Sequence, residues 1–286
     1  MLTTNTIDTV VRAALVEDAP WGDLTSSLLI PAQAMATAEL VAREAGTFAG
    51  GAVFRAAMIL TDPTIAVTVL VDDGAAFQRG ERLATVSGAA RAILQAERIA
   101  LNFVQRMSGI ATLTASFVSQ VSHTHARIVD TRKTTPGLRA FERHAVRCGG
   151  GFNHRFSLSD AVMAKDNHLA VLAHASGLSI TDALLSVRAQ LSHTTHLEVE
   201  VDRIDQIEPV LAAGIDTILL DNFTLDELRA GVALVAGRAI VEASGNVTLD
   251  TVHAIAETGV DVISAGALTH SVRSLDLGLD VVVDTP

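Results

Sequence analysis

Six short apolar segments recur across the second half of the chain: ARIVD, DAVMAKD, LEVEV, TILLD, AIVEAS and DVISAG. Most are followed by a stretch with helical spacing, such as ITDALLSVRAQL, RIDQIEPVLAAG, TLDELRAGVALVAG and TLDTVHAIAETG. Strands alternating with helices of this length imply βα units and a parallel sheet. The strand segments are nearly continuous in apolar residues, as strands buried on both faces must be. Each ends in polar residues: Asp130, Arg132 and Lys133; Lys165, Asp166 and His168; Glu198 and Glu200; Asp221 and Asn222; Glu242, Ser244 and Asn246; Gly266 and His270. In an α/β barrel the C-terminal strand ends open on one rim, where active sites are built. A doubly wound open sheet also gathers strand ends along one edge, so the pattern favours a barrel over that alternative without excluding it. Six strands rather than eight predict an irregular, incomplete barrel.

The residues before this region read differently. MLTTNTIDTVVRAALVEDAP predicts a short amphipathic helix with Ile7, Val10, Val11, Ala14 and Leu15 on one face, not a signal peptide. Positions 37–86 mix β-branched residues with Gly and Asp turn signals and predict strands. From Ala89 to Val121 the spacing is helical, with Gly109 marking a break or a close packing point. This helix is expected to lead from a first domain, 1–115, into a barrel domain, 116–271, with the tail 272–286 assigned to the first. Trp21 in EDAPWGDLTS is expected to be a packing residue. No apolar run reaches the ~18–20 residues needed to span a bilayer. The single cysteine, Cys148, excludes an intrachain disulfide and fits a reducing cytoplasm. A formal net charge of −11 disfavours nucleic acid or an anionic membrane as partner.

Against that acidity, DTRKTTPGLRAFERHAVRCGGGFNHR concentrates Arg132, Lys133, Arg139, Arg143, Arg147 and Arg155. Lys133 and the nearby Lys165 are the only two lysines in the chain. Such a cluster is either a solvated basic face or a pocket for a small polyanion. The rim favours the pocket. Arg132, Lys133, His154, Arg155 and Lys165 supply cations that suit carboxylate or phosphate. Glu200 and Asp221 face them, and can hold Mg²⁺, bind ribose hydroxyls or stabilise a developing cation. EASGN and SAGALTHS place Gly at a strand end before a helix, where backbone N–H groups cradle phosphate. The implied ligand carries several anionic groups, one of them a sugar phosphate. Two other classes compete at this point: a Schiff-base aldolase using Lys133 or Lys165, and a non-catalytic phosphometabolite binder, which explains the cations but not the carboxylate pair. Arg139, Arg143, His144 and Arg147 are assigned to surface or salt-bridge roles, and Gly149–Gly151 to a turn or close approach. His123, His125, His193 and His196 are assigned to surface or loop positions.

DTRKTTPGLRAFERHAVRCGGGFNHRFSLSDAVMAKDNH resembles the signature of the quinolinate phosphoribosyltransferase family. Supporting stretches are EDAPWGDLTS, VAREAG, QAERIALNFVQRMSGIAT, LEVEVD, ILLDNF, EASGNVTL and GVDVISAGALTHS. The family joins quinolinate to phosphoribosyl pyrophosphate and releases pyrophosphate and carbon dioxide, giving nicotinate mononucleotide. The resemblance implies an N-terminal α/β domain (α+β) packed on an irregular α/β barrel, in a homodimer with active sites shared between subunits. It implies that Arg132, His154, Arg155 and Lys165 bind the quinolinate carboxylates, with Arg98 reaching in from the partner subunit. Lys133 would contact the pyrophosphate, helped by Arg43 of the partner. Glu200 and Asp221 would sit at the ribose and its Mg²⁺, contacting the metal directly or indirectly. Ser244, Gly245, Asn246 and Gly266 would hold the 5′-phosphate, with His270 nearby. Lys133, Lys165, Glu200 and Asp221 are the expected catalytic groups. The complete KDNH after NHR favours quinolinate over other acceptors used by relatives of this barrel.

Overall fold

A computed structural model describes residues 2–283 of the chain. Its contacts divide the chain into two compact units. One takes the N-terminal residues to Ala115, Thr134–Gly150 and the residues from Leu268 on; the other takes Ser116–Lys133 and Gly151–Ala267.

In the first unit the helix Thr4–Asp18 starts on Thr3, whose side chain accepts from the Thr6 N–H, and buries Ile7 and Val11. Four antiparallel strands form a sheet in the order Leu277–Val283, Met35–Ala42, Arg82–Ala89, Ala66–Val69. Along Met35–Ala42 burial alternates at first, with Ala36, Ala38 and Leu40 facing inward. The expectation of strands throughout 37–86 fails at Gly51–Thr61, which is helical. The cause lies in GAVFRAAMILT itself: Val53, Phe54, Ala57 and Met58 recur at helical spacing and are fully buried. Asp73 Oδ1 accepts from the N–H groups of Gly50 and Gly51, both at 3.0 Å, and so satisfies the helix start from a distant loop. Trp21 is 97% exposed, against the expected packing role. The helix Ala90–Val121 runs unbroken through Gly109. A Cβ there would lie 2.2 Å from the Arg273 carbonyl oxygen, so Gly109 is a close packing point and not a break. The helix Arg139–Cys148 also belongs to this unit. Its Phe141 stacks on Phe103 with ring centroids 5.4 Å apart, and its buried Glu142 accepts from Arg106 at 2.6 and 2.9 Å. Gly149 follows because a side chain would strike the Ala111 carbonyl at 2.4 Å.

The second unit holds all six expected strands in one parallel sheet. The spatial order is Arg127–Val129, Val262–Ser264, Ile240–Ser244, Thr217–Asp221, Leu197–Val201, Val162–Ala164. From Val162–Ala164 to Val262–Ser264 each strand lies beside its neighbour in sequence, with no reversal point, which is barrel winding and not doubly wound winding. Phe152 adds a single parallel bridge to Val129 at the outer edge. The sheet is therefore an incomplete α/β barrel. Helices follow the strands at Ile180–Arg188, Ile207–Leu211, Leu225–Val235 and Val252–Ala256. Thr224 and Glu227 close a reciprocal capping box at the start of Leu225–Val235. Parallel register aligns the C-terminal ends: Asp221 pairs with Ser244, and Ser264 with Val129.

Candidate active site

Those aligned ends surround a cavity of about 370 Å³. Its basic side is Arg132, Lys133, His154, Arg155 and Lys165; its acidic side is Glu200, Asp221 and the largely buried Glu242; Ser244 and Ser264 stand between them, and Met163 and Leu219 give an apolar surface. A larger cavity of about 820 Å³ opens at the opposite, N-terminal ends of the strands. Its charges are engaged structurally: Arg238 grips Glu208 at 2.6 and 2.9 Å, and Asp216 and Asp261 accept from the N–H groups of Leu197 and Val241. The converging functional groups lie in the smaller cavity.

Most rim side chains are placed by their strands. Lys165 directly follows Val162–Ala164, and its ammonium pairs with Glu200 near the end of Leu197–Val201. Asp221 closes Thr217–Asp221 and accepts from Asn222 Nδ2 at 2.7 Å. Arg132 and Lys133 follow Arg127–Val129, with the Lys133 N–H on Thr131 Oγ1 at 3.0 Å. Arg155 donates through Nη1 to the Ala161 carbonyl at 2.9 Å. Burial and the neighbouring Arg132 charge both act against its guanidinium and lower its pKa. A cation held under those conditions is poised for an anion.

His154 has the most determined geometry. Fully buried Asp130 accepts from the His154 N–H at 2.8 Å and from Asn153 Nδ2 at 2.6 Å, fixing the turn. The Arg155 N–H donates to His154 Nδ1 at 2.7 Å. In the neutral ring Nδ1 is therefore the acceptor and the proton sits on Nε2; a second proton would displace the Arg155 N–H. Nε2 lies 3.2 Å from Glu198 Oε2 and 3.6 Å from Glu242 Oε1, two buried carboxylates. Burial opposes the imidazolium, but the hydrogen bond to Glu198 and the charges of Glu242, Glu198 and Asp130 outweigh it and raise the His154 pKa. Burial, then the Glu198 charge, pushes the Glu242 carboxyl up to about 7. Neutralising Glu242 relieves the juxtaposition of two buried carboxylates.

Glu198 and Glu242 stand in the sequence as strand-end polar residues with no role attached to them. The available signal was two acids at buried positions of otherwise apolar strands. Gly245 and Asn246 follow the strand Ile240–Ser244 in left-handed conformations, with φ of 101° and 48°. A Cβ on Gly245 would lie 2.2 Å from Asn222 Oδ1, so the close approach requires glycine. Asn246 Nδ2 donates to that same Oδ1 at 3.3 Å. Gly266 lies half-buried just past Val262–Ser264. Arg43, Arg98 and His270 belong to the other unit. There Arg43 pairs with Asp280, Arg98 is exposed on the long helix, and exposed His270 meets Ser271 Oγ at 2.5 Å.

A barrel whose strand ends set a basic wall against a group of carboxylates defines a class of enzyme acting on small polyanions at the rim. The comparisons narrow it. Residues 23–108 match the model of the quinolinate phosphoribosyl transferase N-terminal domain, and residues 110–280 match its C-terminal domain. A carboxylating nicotinate-nucleotide pyrophosphorylase of Mycobacterium leprae is 45% identical over 280 residues, covering 95% of each chain. A decarboxylating quinolinate phosphoribosyltransferase of Nicotiana tabacum is 42% identical, covering 95% of this chain and 81% of that one. The crystal structure of NadC from Streptococcus pyogenes superposes with a TM-score of 0.93 at 39% identity, covering 100% of this chain and 99% of that one. The chain belongs to the quinolinate phosphoribosyltransferase family.

Proposed function

We propose that this protein transfers the phosphoribosyl group of phosphoribosyl pyrophosphate to quinolinate with loss of carbon dioxide, giving nicotinate mononucleotide for NAD biosynthesis. The observation that carries the proposal is the convergence of Arg132, His154, Arg155 and Lys165 opposite Glu200 and Asp221, in a chain of this family. Quinolinate is a flat dianion. Its carboxylates match the cationic wall, and its ring matches the apolar surface of Met163 and Leu219. Lys133 takes the pyrophosphate, and backbone N–H groups at Ser244–Asn246 and Gly266 take the 5′-phosphate.

Lys165 is paired with Glu200. A substrate carboxylate entering the cationic side competes for that ammonium and releases Glu200 toward the ribose. The pyridine nitrogen then attacks the ribose C1 as pyrophosphate departs. Glu200 and Asp221 stabilise the positive charge that builds on the ring carbon and oxygen. Alkylation leaves the ring nitrogen cationic. That cation accepts the electron pair left when the 2-carboxylate departs as carbon dioxide, and a proton replaces the carboxylate. No protein nucleophile enters this sequence, so neither lysine needs the depressed pKa of a Schiff-base lysine.

The donor set fits Mg²⁺. Glu200 and Asp221 offer carboxylate oxygens on the cavity wall, and a magnesium ion uses one or two carboxylates plus phosphate oxygens and water. When bound, Mg²⁺ supplies charge neutralisation of the departing pyrophosphate. The protein is further proposed to act in the cytoplasm as a homodimer, with Arg98 and Arg43 delivered to the partner's site and His270 near the phosphate. Among the described residues no helix is long and apolar enough to cross a membrane.

The test is acceptor discrimination. Nicotinate lacks the second carboxylate, and a buried cation left without its partner costs about 2–5 kcal/mol, or roughly 30- to 5000-fold. The kcat/KM for nicotinate should fall below that for quinolinate by a factor in this range. Equal turnover of the two acids would overturn the assignment.

A further inference from the structure

Among the described residues, three groups of His, Cys, Asp or Glu side chains bring ligand atoms within 4.8 Å of one another. Two of them are satisfied internally. In the first, His154 spends its Nδ1 lone pair on the Arg155 N–H and aims its Nε2 proton at Glu198. In the second, Asp73 is bound by two backbone N–H groups through Oδ1 and by His144 Nε2 through Oδ2 at 2.7 Å, while Cys148 hydrogen-bonds His144. The third, His123, His253 and Glu257, is arranged in the opposite sense.

His253 Nδ1 lies 3.0 Å from the Gln120 carbonyl oxygen. A carbonyl only accepts, so the ring proton is on Nδ1, and the neutral ring carries a lone pair on Nε2. That Nε2 faces Glu257 Oε1 at 3.5 Å, one helical turn away at i+4. His123 Nε2, from the turn after the long helix, approaches the same oxygen at 3.9 Å. The two imidazoles stack with centroids 4.4 Å apart. Two imidazole nitrogens thus converge on one carboxylate oxygen, a donor set that suits a cation. Protonating both rings would stack two cations at that separation. A single divalent ion satisfies all three atoms.

We propose that His123, His253 and Glu257 form a transition-metal site of the Zn²⁺ class, separate from the catalytic rim and unsuited to Mg²⁺. Imidazole nitrogen selects zinc, nickel or copper over magnesium. A histidine that donates Nδ1–H to a backbone carbonyl while presenting Nε2 is the supporting arrangement that metal ligands of this kind use. Three protein ligands leave the fourth tetrahedral position to water, which the exposure of all three residues permits. Coordination requires the stacked rings to splay slightly about the ion. The ion would tie the turn that follows Ala90–Val121 to the helix Val252–Ala256.

The experiment uses untagged, metal-stripped, full-length protein in excess Mg²⁺, titrated with Zn²⁺ against a chromogenic chelator. One Zn²⁺ per chain should bind, and His253→Gln, His123→Gln and Glu257→Gln should each weaken it at least tenfold, with circular dichroism unchanged. Cys148→Ser, which alters the separate cluster of Asp73, His144 and Cys148, should leave that affinity intact. Cu²⁺ at one equivalent should show nitrogen hyperfine coupling from two imidazoles, reduced to one in either histidine variant. Loss of binding in Cys148→Ser, retained binding in the His253→Gln and His123→Gln double variant, or no stoichiometric binding to the wild-type chain would each overturn the proposal.

Discussion

His154 shows how much of the rim's chemistry is set one layer below it. Its proton position follows from the Arg155 N–H on Nδ1, and its direction from Glu198 beneath. Removing Glu198 should therefore damage substrate binding through a residue that does not itself line the cavity. A charge-assisted hydrogen bond is worth about 1.5–3 kcal/mol, so Glu198→Ala should raise the KM for quinolinate by roughly 10- to 150-fold. The KM for phosphoribosyl pyrophosphate should move little, and Glu198→Gln, which can still accept from Nε2, should recover much of the loss. Steady-state kinetics with each substrate varied in turn checks both. The same measurements partition the lysines. Lys165→Met should mainly weaken quinolinate binding and Lys133→Met mainly phosphoribosyl pyrophosphate binding, each by about 1.5–3 kcal/mol. Identical or exchanged effects would contradict the division of the rim. Arg132, Lys133, Lys165, Glu200 and Asp221 were legible in the sequence because each ends or follows an apolar strand, and a parallel sheet gathers such residues whatever the details of packing; His154 and Arg155 follow only the Phe152 bridge and were legible through the basic cluster. Glu198 and Glu242 were not legible as supports. In LEVEV an acid pointing into the cavity and an acid buried beneath it look alike, and only the side-chain geometry separates Glu200 on the wall from Glu198 under His154; Glu242 of AIVEAS does both, lining the cavity and facing His154.

At the scale of elements, sequence legibility followed the source of each element's order. The six barrel strands and their helices carry their own periodicity and appear where it predicts. The helix Gly51–Thr61 also carries its own periodicity, in Val53, Phe54, Ala57 and Met58, but its start has no local cap: Asp73, more than 20 positions away, satisfies it, so the strand signals on either side hid it. Asp73 also anchors the helix Arg139–Cys148 through His144. The hydrogen bond to Asp73, reinforced by Cys148 and opposed by burial, raises the His144 pKa to about 10. The matching effect appears on Asp73: burial works to raise its carboxyl, but the hydrogen bond from His144 and the backbone bonds from Gly50 and Gly51 lower it. A histidine with a raised folded-state pKa adds stability that is fully present below its unfolded value of 6.5 and is lost as pH climbs toward 10. The urea midpoint should therefore decline across that window. In His144→Gln the wild-type midpoint should be lowered at pH 6 and should decline less steeply toward pH 10. A variant with an unchanged slope would show that the pair does not couple the helix to protonation.

At the scale of the whole molecule, a chain with net charge −11 confines both of its lysines to one rim. That contrast suits an enzyme whose ligands are polyanions and whose remaining surface has no use for them. Assembly is the proposal that reaches furthest from a single chain, because Arg43 and Arg98 belong to the unit that does not line the cavity. A twofold dimer exchanging these arginines has a simple signature. Arg98→Ala and Lys165→Ala should each be nearly inactive alone. Refolded together in equal amounts, they should recover about a quarter of wild-type activity, since half of randomly paired dimers are hybrids and each hybrid has one intact site. Verified hybrids without activity would remove Arg98 from the partner's site. The central claim, phosphoribosyl transfer coupled to decarboxylation, is tested most directly by following quinolinate labelled in its 2-carboxylate with phosphoribosyl pyrophosphate and Mg²⁺. The predicted result is labelled carbon dioxide, pyrophosphate and nicotinate mononucleotide released in equal amounts, with none formed when either substrate is omitted. Pyrophosphate release with the label retained in the nucleotide, or no turnover at all, would contradict the account.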